Sequence, residues 1–198
     1  MTPDYTRALR EFFKLCGELE SDALGLWFDA YGLIGQAHKH ELGAGIRAGY
    51  MRSAIVMAAA AFEGWMNFLA FKLGDKGEFG GRRLTEFEVD CLLERQRQLE
   101  NGVIKTKRRI YRSLDRFLLV YAIVTGGKKL SSRLQGTLEE SFQLRDGLVH
   151  PKPGSPANPF SPEGGDGAFY AFFHADLALA RAWYNAQSAD AGSSVIQN

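Results

Sequence analysis

The chain has 198 residues, of which 45% are apolar, with 24 Lys plus Arg against 23 Asp plus Glu. A single domain of this length buries roughly 70% of the surface of its extended chain, so its core needs no disulfide for support. This composition excludes an intrinsically disordered chain. The formal charge of +1 excludes a uniformly basic nucleic-acid-binding protein but not a local basic patch.

The cysteines and the apolar runs indicate the cellular compartment. Cys16 and Cys91 form no CxxC pair and no disulfide framework, which is typical of reduced thiols in a cytosolic protein. The amino-terminal residues are charged from Asp4 onward and lack the apolar stretch of a signal peptide. The longest uncharged apolar runs, 54–62 and 117–124, are shorter than the roughly 20 residues that span a bilayer. We therefore predict a cytoplasmic protein with no membrane partner.

Prolines and apolar spacing predict the fold class. Five of the six prolines lie between Pro151 and Pro162, and none lies between Thr6 and Val149. Within this proline-free stretch the apolar residues follow helical spacing, without β-branched clusters bounded by turn signals. We predict an all-α protein, an antiparallel helical bundle with short turns between neighbouring helices. In chain order, the predicted helices cover about 3–20, 21–42, 46–73, 85–100, 106–124, 131–149 and 168–187.

These helices predict a single domain over 1–198. Its predicted parts are an N-terminal helical pair (1–43), a core with the functional motif (46–150), a Pro/Gly loop (151–167), a closing helix (168–187) and a frayed tail (188–198). A loop as long as 151–167 inside a compact domain is often functional or mobile.

Charge is concentrated in one part of the chain. Between Asn101 and Arg133 there are nine basic residues and one acidic residue, Asp115. On a helix, basic groups spaced in this way lie along one face, which suits a phosphate backbone; the alternative is an ordinary solvated helix face. Tyr111 in their midst could stack a base or cover core. The predicted RNA-binding residues are Lys105, Lys107, Arg108, Arg109 and Arg112.

Glycines and histidines predict no nucleotide or metal site. The segment 43–49 has the wrong glycine spacing for a dinucleotide-binding loop, and 163–167 lacks the Lys-Ser/Thr end of a phosphate-binding loop. His38 and His40 lie about 200° apart around a predicted helix, so they cannot chelate one metal there. No other His, Cys and carboxylate residues have metal-ligand spacing. We predict no metal and no cofactor.

The third predicted helix carries two polar residues in an apolar sequence. Glu63 and Asn67 are four residues apart and therefore lie on one face. The apolar character of nearly all sides implies burial, and a buried carboxylate needs a partner. The alternative is a thin exposed stripe through Arg52, Ala59 and these two residues. Arg145 is the candidate cation for a buried pair.

Two segments carry a family resemblance. The first is Phe-Glu-x-Trp-x-Asn at 62–67 in an alanine-rich helix, and the second is Arg145, Asp146 and, after four intervening residues, His150. Over about 46–150 the chain resembles the HEPN superfamily of helical ribonuclease and toxin domains, whose hallmark is an Arg and a His four to six residues apart, commonly with Asn after the Arg. Asp146 takes the usual Asn position, where an acid would neutralise the Arg and repel phosphate.

The chemistry of the motif can also be derived from its residues. Pro151 disfavours helical geometry at His150, so the helix should end there. An imidazole at a helix C-terminus lies near the negative end of the dipole, which favours its protonated form. Arginine gives a permanently charged, bidentate grip on phosphate. With the RNA's 2′-hydroxyl as nucleophile, neither a serine nor a metal is needed. The alternative is structural: Arg145 pairs with Glu63 or Asp146, and His150 caps the helix.

The resemblance implies a metal-independent endoribonuclease, a toxin or phage-defence component with an antitoxin as a possible partner. In this interpretation His150 is the general acid/base, Arg145 stabilises the phosphorane, and Glu63 orients Arg145. Residues five apart on a helix differ by about 140° in direction and roughly 7.5 Å in height. Arg145 and His150 of one copy therefore do not both point at one phosphate. We therefore expect a homodimer with this helix at its interface, as in HEPN dimers. The alternative function is a catalytically silent helical dimerisation module that binds a partner protein or nucleic acid.

Overall fold

The structure, a computed structural model, describes residues 10–12, 14–15, 23–100, 103–150 and 162–194. Residues 10–12 and 14–15 are helical. The named helices are α1 (Ala23–Ala37), α2 (Ala44–Lys76), α3 (Glu86–Leu92), α4 (Ser113–Val124), α5 (Ser132–Val149) and α6 (Pro162–Ser194). The strands are β1 (Glu78–Phe79), β2 (Arg82–Arg83), β3 (Arg95–Glu100) and β4 (Val103–Arg108). The chain is thus mostly helical, which agrees with the predicted all-α class, but it also contains two short hairpins.

The chain divides into two compact units. The first comprises residues 1–65 and 131–178, and the second comprises residues 66–130 and 179–198. Helices α2 and α6 each contribute residues to both units.

An aromatic cluster forms the core of the first unit. Phe12, Trp27, Trp65 and Phe173 are almost fully buried. The ring centroids of Phe12 and Trp65 are 5.7 Å apart, and those of Trp27 and Phe173 are 5.3 Å apart, both edge to face. Such pairs add to the free energy already gained by burying rings of this size. The core of this unit therefore joins α1, α2 and α6 to the helical residues near Phe12.

In the second unit, helix α4 supplies apolar residues at helical spacing. Leu114, Phe117, Val120 and Val124 are buried, as the sequence pattern predicts for an amphipathic helix. Strands β1 and β2 pair antiparallel across Gly80 and Gly81, whose φ angles are 58° and 68°. Two consecutive residues with positive φ match the tight hairpin turn in which glycine is favoured.

Several predicted helix bounds are close to those observed. The helix predicted over 131–149 is α5, and Ser131 caps it by accepting a hydrogen bond from the Leu134 N–H at 3.3 Å. The helix predicted over 46–73 is α2, which begins two residues earlier and continues past Gly74. The helix predicted over 21–42 ends five residues earlier, because α1 stops at Ala37.

Of the helices predicted over 85–100 and 106–124, the end of the first and the start of the second were wrong. Helix α3 ends at Leu92, and the chain then forms β3 and β4, which pair antiparallel from Arg95 opposite Arg108 to Glu100 opposite Val103. Helix α4 begins only at Ser113. The last pair in this register leaves two residues between the strands, which by sequence are Asn101 and Gly102. The β3–β4 hairpin and the residues that flank it therefore take the place of about two turns of each predicted helix.

The Pro/Gly segment differs from the prediction at its end. Residues 151–161 of the predicted loop lie outside the described residues. From Pro162 the chain is helical, so the predicted loop residues 162–167 belong to the first turns of α6. Burial of Gly165 and Ala168 explains why this glycine-rich stretch is helical, since tertiary packing outweighs its low helix propensity. The helix also continues through the predicted tail to Ser194.

Helix α2 is apolar over most of its length. Among the described residues it is the one helix long and apolar enough to cross a bilayer, although 56% of its most apolar window is buried within the fold. A central helix of a water-soluble protein has the same composition.

Candidate functional site

Arg145 lies on the last two turns of α5 and is held by three neighbours. Its Nη2 donates a hydrogen bond to Glu63 Oε1 at 2.8 Å. Its guanidinium carbon lies 5.4 Å from the centre of the Phe142 ring, one turn earlier on the same helix. Its Nε lies 3.3 Å from Asp146 Oδ1, a charge contact that lacks hydrogen-bond geometry. The side chain of Arg145 is 23% exposed, so its orientation is fixed while part of it remains open to solvent.

Aromatic packing sets the position of this ion pair. Glu63 follows Phe62, which is fully buried on α2. The Phe62 ring lies 5.7 Å from that of Phe142 and 5.5 Å from that of Phe172 on α6. The rings of Phe142 and Phe172 are 5.0 Å apart. Because these three rings join α2, α5 and α6, they fix the backbones from which Glu63 and Arg145 extend.

The pairing of Glu63 with Arg145 decides between the two alternatives for Glu63, a buried ion pair or an exposed stripe. Glu63 is 30% exposed and bonded to a cation, so it is neither an isolated buried carboxylate nor part of a fully solvated stripe. Asn67, four residues further along α2, belongs to the second unit, where its Oδ1 accepts a hydrogen bond from Arg116 Nη1 at 2.6 Å.

His150 ends α5 in the way that Pro151 predicts. Its φ of −126° and ψ of 67° are not helical, and its N–H donates to the Asp146 carbonyl at 2.8 Å. The imidazole is exposed. The imidazole at the C-terminal end of α5 is therefore accessible to a solvent molecule or a ligand.

Asp146 alters the electrostatics around Arg145. It is 63% exposed, and its carboxylate adds to that of Glu63, so two negative charges face one guanidinium. Among the described residues, none accepts a hydrogen bond from Arg145 Nη1, which therefore remains available to an anion. The site can bind a phosphate only in competition with its own carboxylates.

The predicted RNA-binding residues do not share a helical face. Lys105, Lys107 and Arg108 lie on strand β4, and Arg109 and Arg112 follow it, so the prediction of one basic helix face was wrong. All five are exposed. The described structure therefore gathers these cations on the β3–β4 hairpin and on the short segment that leads into α4.

Acidic residues contact most of these cations. Lys105 Nζ lies 3.0 Å from Glu100, which Lys107 also contacts, and Arg108 Nη2 lies 3.0 Å from Glu94. Hydrogen bonds from Lys107 and Lys105 lower the pKa of Glu100, so this carboxylate is charged at neutral pH. Glu94 and Glu100 precede Asn101, so they lie outside the basic segment in the sequence. They contact its cations only because β3 pairs with β4.

Arg116 is a basic residue that the structure removes from the surface. Its Nη1 donates to Glu94 Oε1 at 3.0 Å and its Nη2 to the Leu92 carbonyl at 2.9 Å, while the side chain is 10% exposed. Burial lowers the pKa of Arg116, and the Glu94 charge opposes this effect. Glu94 itself has a φ of 52°, unusual for a residue with a side chain. Arg116 thus fixes the turn that precedes β3 and, unlike the five predicted RNA-binding residues, is buried.

The remaining candidates have local roles. The hydrogen bond with the Cys91 thiol, together with burial, raises the pKa of Tyr111, and Arg109 lies 5.1 Å from its ring centre. His38 contacts Asp166 at 3.0 Å. Over the described ranges, no group of three or more His, Cys, Asp or Glu could hold a metal ion.

Comparison of the chain with protein-family models, curated proteins and solved structures found no match.

Proposed function

We propose that this protein is a cytoplasmic, metal-independent endoribonuclease with the antiparallel bundle of a HEPN domain, acting as a toxin or defence component that an antitoxin could control. The observation that supports this proposal is the Arg145–Glu63 hydrogen bond of 2.8 Å, which holds a phosphate-binding group on the same helix that ends at the exposed His150. An oriented guanidinium and an accessible imidazole are sufficient for RNA transesterification.

In the proposed reaction, the RNA supplies its own nucleophile. His150 accepts the proton of the 2′-hydroxyl as its oxygen attacks the adjacent phosphorus. Arg145 stabilises the charge of the phosphorane through Nη1, while Glu63 holds Nη2 and orients the guanidinium. The bond to the 5′-oxygen then breaks, and the protonated His150 returns its proton to that oxygen. The products are a 2′,3′-cyclic phosphate and a 5′-hydroxyl end.

A second copy of the chain would complete the site. Arg145 and His150 are five positions apart, which on a helix is about 140° around the axis, so both cannot converge on one phosphate from a single helix. A two-fold axis beside α5 would place two Arg and two His around one cleft. We expect light scattering to give a dimer mass at working concentration, and a strict monomer would contradict this part of the proposal.

A second candidate function is a catalytically silent dimerisation module that binds a partner protein or nucleic acid. It is favoured by one observation: Asp146 lies 3.3 Å from Arg145 Nε, which partly neutralises the cation already paired with Glu63. An arginine held by two carboxylates is also a common structural ion pair.

The deciding experiment is cleavage of a fluorogenic RNA with and without EDTA. We expect cleavage that resists EDTA, a 2′,3′-cyclic phosphate product, and no cleavage of DNA. His150→Ala and Arg145→Ala should each lower kcat by about 10²–10⁴-fold. The matched controls are His40→Ala and Arg133→Ala, which change exposed residues of the same types and should leave kcat unchanged. Absence of cleavage by the wild type, or equal rates in all four variants, would favour the silent module.

A further inference from the structure

The β3–β4 hairpin presents a polar array on one of its faces. Residues that pair across the strands lie on the same face, and every second residue along a strand returns to it. The register places Gln96 opposite Lys107 and Gln98 opposite Lys105. Two amides and two ammonium groups therefore form a two-by-two array, and every described residue of β4 is exposed.

The opposite face of the hairpin is tied to helix α3. Arg97 reaches Glu86 at 2.9 Å and Asp90 at 3.0 Å, and these two acids are four residues apart on that helix. Within the second unit, this double ion pair fixes the face that carries Arg97 toward α3. On the array of Gln96, Gln98, Lys105 and Lys107, hereafter the Gln/Lys face, both lysines are exposed and both glutamines are half-buried, so the lysines present its charge to a ligand.

We propose that the Gln/Lys face binds the sugar–phosphate backbone of double-stranded RNA across its minor groove, an inference that rests on the proposed ribonuclease function and names its substrate class. The ammonium groups of Lys105 and Lys107 contact phosphates. Alternate residues of a strand are about 6.7 Å apart, a spacing similar to that of neighbouring phosphates along one RNA strand. The amides of Gln96 and Gln98 can both donate to and accept from 2′-hydroxyl groups.

The sequence of the hairpin favours a duplex over a single strand. Proteins that bind single strands stack bases on aromatic side chains. The segment 95–108 contains no aromatic residue, and Tyr111 beyond it is engaged by Cys91 and Arg109. A surface without stacking groups reads backbone and shape, which is how double-stranded RNA is recognised.

The glutamine amides favour RNA over DNA. Gln96 and Gln98 lie on the same face of the hairpin as the two lysines. The 2′-hydroxyl, which DNA lacks, both donates and accepts hydrogen bonds, as an amide group does. The wide, shallow minor groove of A-form RNA displays these hydroxyl groups.

Glu100 competes with the RNA for the same lysines. It contacts Lys105 at 3.0 Å and also contacts Lys107, so a phosphate must displace it from both. A substitution that removes a contact usually weakens binding. Removing the Glu100 charge should instead strengthen RNA binding, by up to about eightfold at 0.1 M salt.

The test measures binding of a labelled 20-base-pair RNA by fluorescence anisotropy. It uses the full chain carrying His150→Ala, so that cleavage does not interfere. Each phosphate contact changes log K by about 0.9 per tenfold change in salt, so K105Q/K107Q should weaken binding by up to about sixtyfold at 0.1 M salt and lower the salt slope by about two. K105R/K107R keeps both charges and should bind like the parent. E100Q should bind more tightly.

The matched control is K128Q/K129Q, which removes two exposed charges outside the hairpin and should lower affinity far less. Double-stranded RNA should also bind more tightly than single-stranded RNA, duplex DNA or anionic lipid vesicles. The proposal is overturned if K105Q/K107Q binds like this control, or if any of those three probes binds more tightly than double-stranded RNA. If the wild type cleaves RNA but K105Q/K107Q does not weaken binding, the proposed RNA-binding face is refuted and the ribonuclease proposal is not. Hairpin-dependent binding without cleavage would refute the ribonuclease and leave the RNA-binding face.

Discussion

Asp176 is a carboxyl group whose ionisation should make folding depend on pH. It lies on α6 in the first unit, is fully buried, and accepts a hydrogen bond at Oδ2 from Trp27 Nε1 at 2.8 Å. Among the residues that the structure describes, none hydrogen-bonds to its Oδ1. Burial raises the pKa of Asp176 well above its usual range, and the Trp27 hydrogen bond opposes this only in part. The folded protein therefore holds a proton that the unfolded chain releases near pH 4.

The direction of the effect follows from proton counting. Between the unfolded pKa of about 3.9 and the raised folded pKa, the folded state binds one proton more than the unfolded state. The contribution of Asp176 to stability is therefore fully present below pH 4 and is lost as the pH rises toward the folded pKa. The free energy of unfolding should fall by about 1.4 kcal/mol per pH unit across this window.

The perturbation that isolates this effect is Asp176→Asn. An amide has nearly the same shape, and its oxygen can still accept the Trp27 hydrogen bond, but it does not ionise. Its extra buried N–H groups should cost about 1–3 kcal/mol at every pH. The variant should thus be less stable than the wild type in acid and lose less stability as the pH rises, with a difference in slope of about 1.4 kcal/mol per pH unit.

The assay is urea unfolding followed by tryptophan fluorescence at several pH values between 5 and 8. The matched control is Asp29→Asn, the same chemical change at an exposed position of α1, whose pH profile should parallel that of the wild type. If the unfolding free energies of Asp176→Asn and the wild type stay parallel over this range, the assignment of a buried neutral carboxyl is refuted.

Three further substitutions test the contacts described above. Glu63→Gln should lower kcat about tenfold with KM little changed, because a neutral hydrogen bond orients Arg145 less firmly than a charged one; steady-state kinetics would show it, and an unchanged kcat would remove the positioning role. Arg116→Met should destabilise the fold by about 1–3 kcal/mol in urea, whereas Arg112→Met at an exposed position should change stability by less than about 0.5 kcal/mol; equal effects would contradict the buried cluster. Phe142→Ala should lower stability by about 2–3 kcal/mol through loss of its ring contacts, and calorimetry showing an unchanged Tm would argue against that packing.

The helices could be predicted where a periodic apolar face coincides with a local end signal. Helix α5 has the Ser131 cap at its start and Pro151 just beyond its end, and both bounds were predicted to within one residue. The contact between Glu63 and Arg145 was one of two alternatives that the sequence left open. Local sequence could not decide between them, because the partners are 82 residues apart and meet only through packing.

The β3–β4 hairpin could not be predicted from helix propensity. Arg, Gln, Leu and Glu, which make up β3, are all good helix formers, and their strand conformation depends on pairing with β4. One local signal was present: Asn101-Gly102 is the dipeptide preferred in two-residue hairpin turns. This dipeptide favours a hairpin at this position, whereas the apolar spacing favours a helix.

The outer edge of β4 has a consequence for solubility. The described strands form two-stranded sheets, so the β3–β4 hairpin leaves a row of backbone hydrogen-bonding groups available to another chain. At the start of β4, Val103 and Ile104 are 61% and 67% exposed, so apolar surface lies beside this edge. Lysines on an edge strand repel a second copy and prevent such strand-to-strand aggregation. Replacing Lys105 and Lys107 with valine should therefore turn this edge into a nucleus for fibrillar association, independent of any ligand.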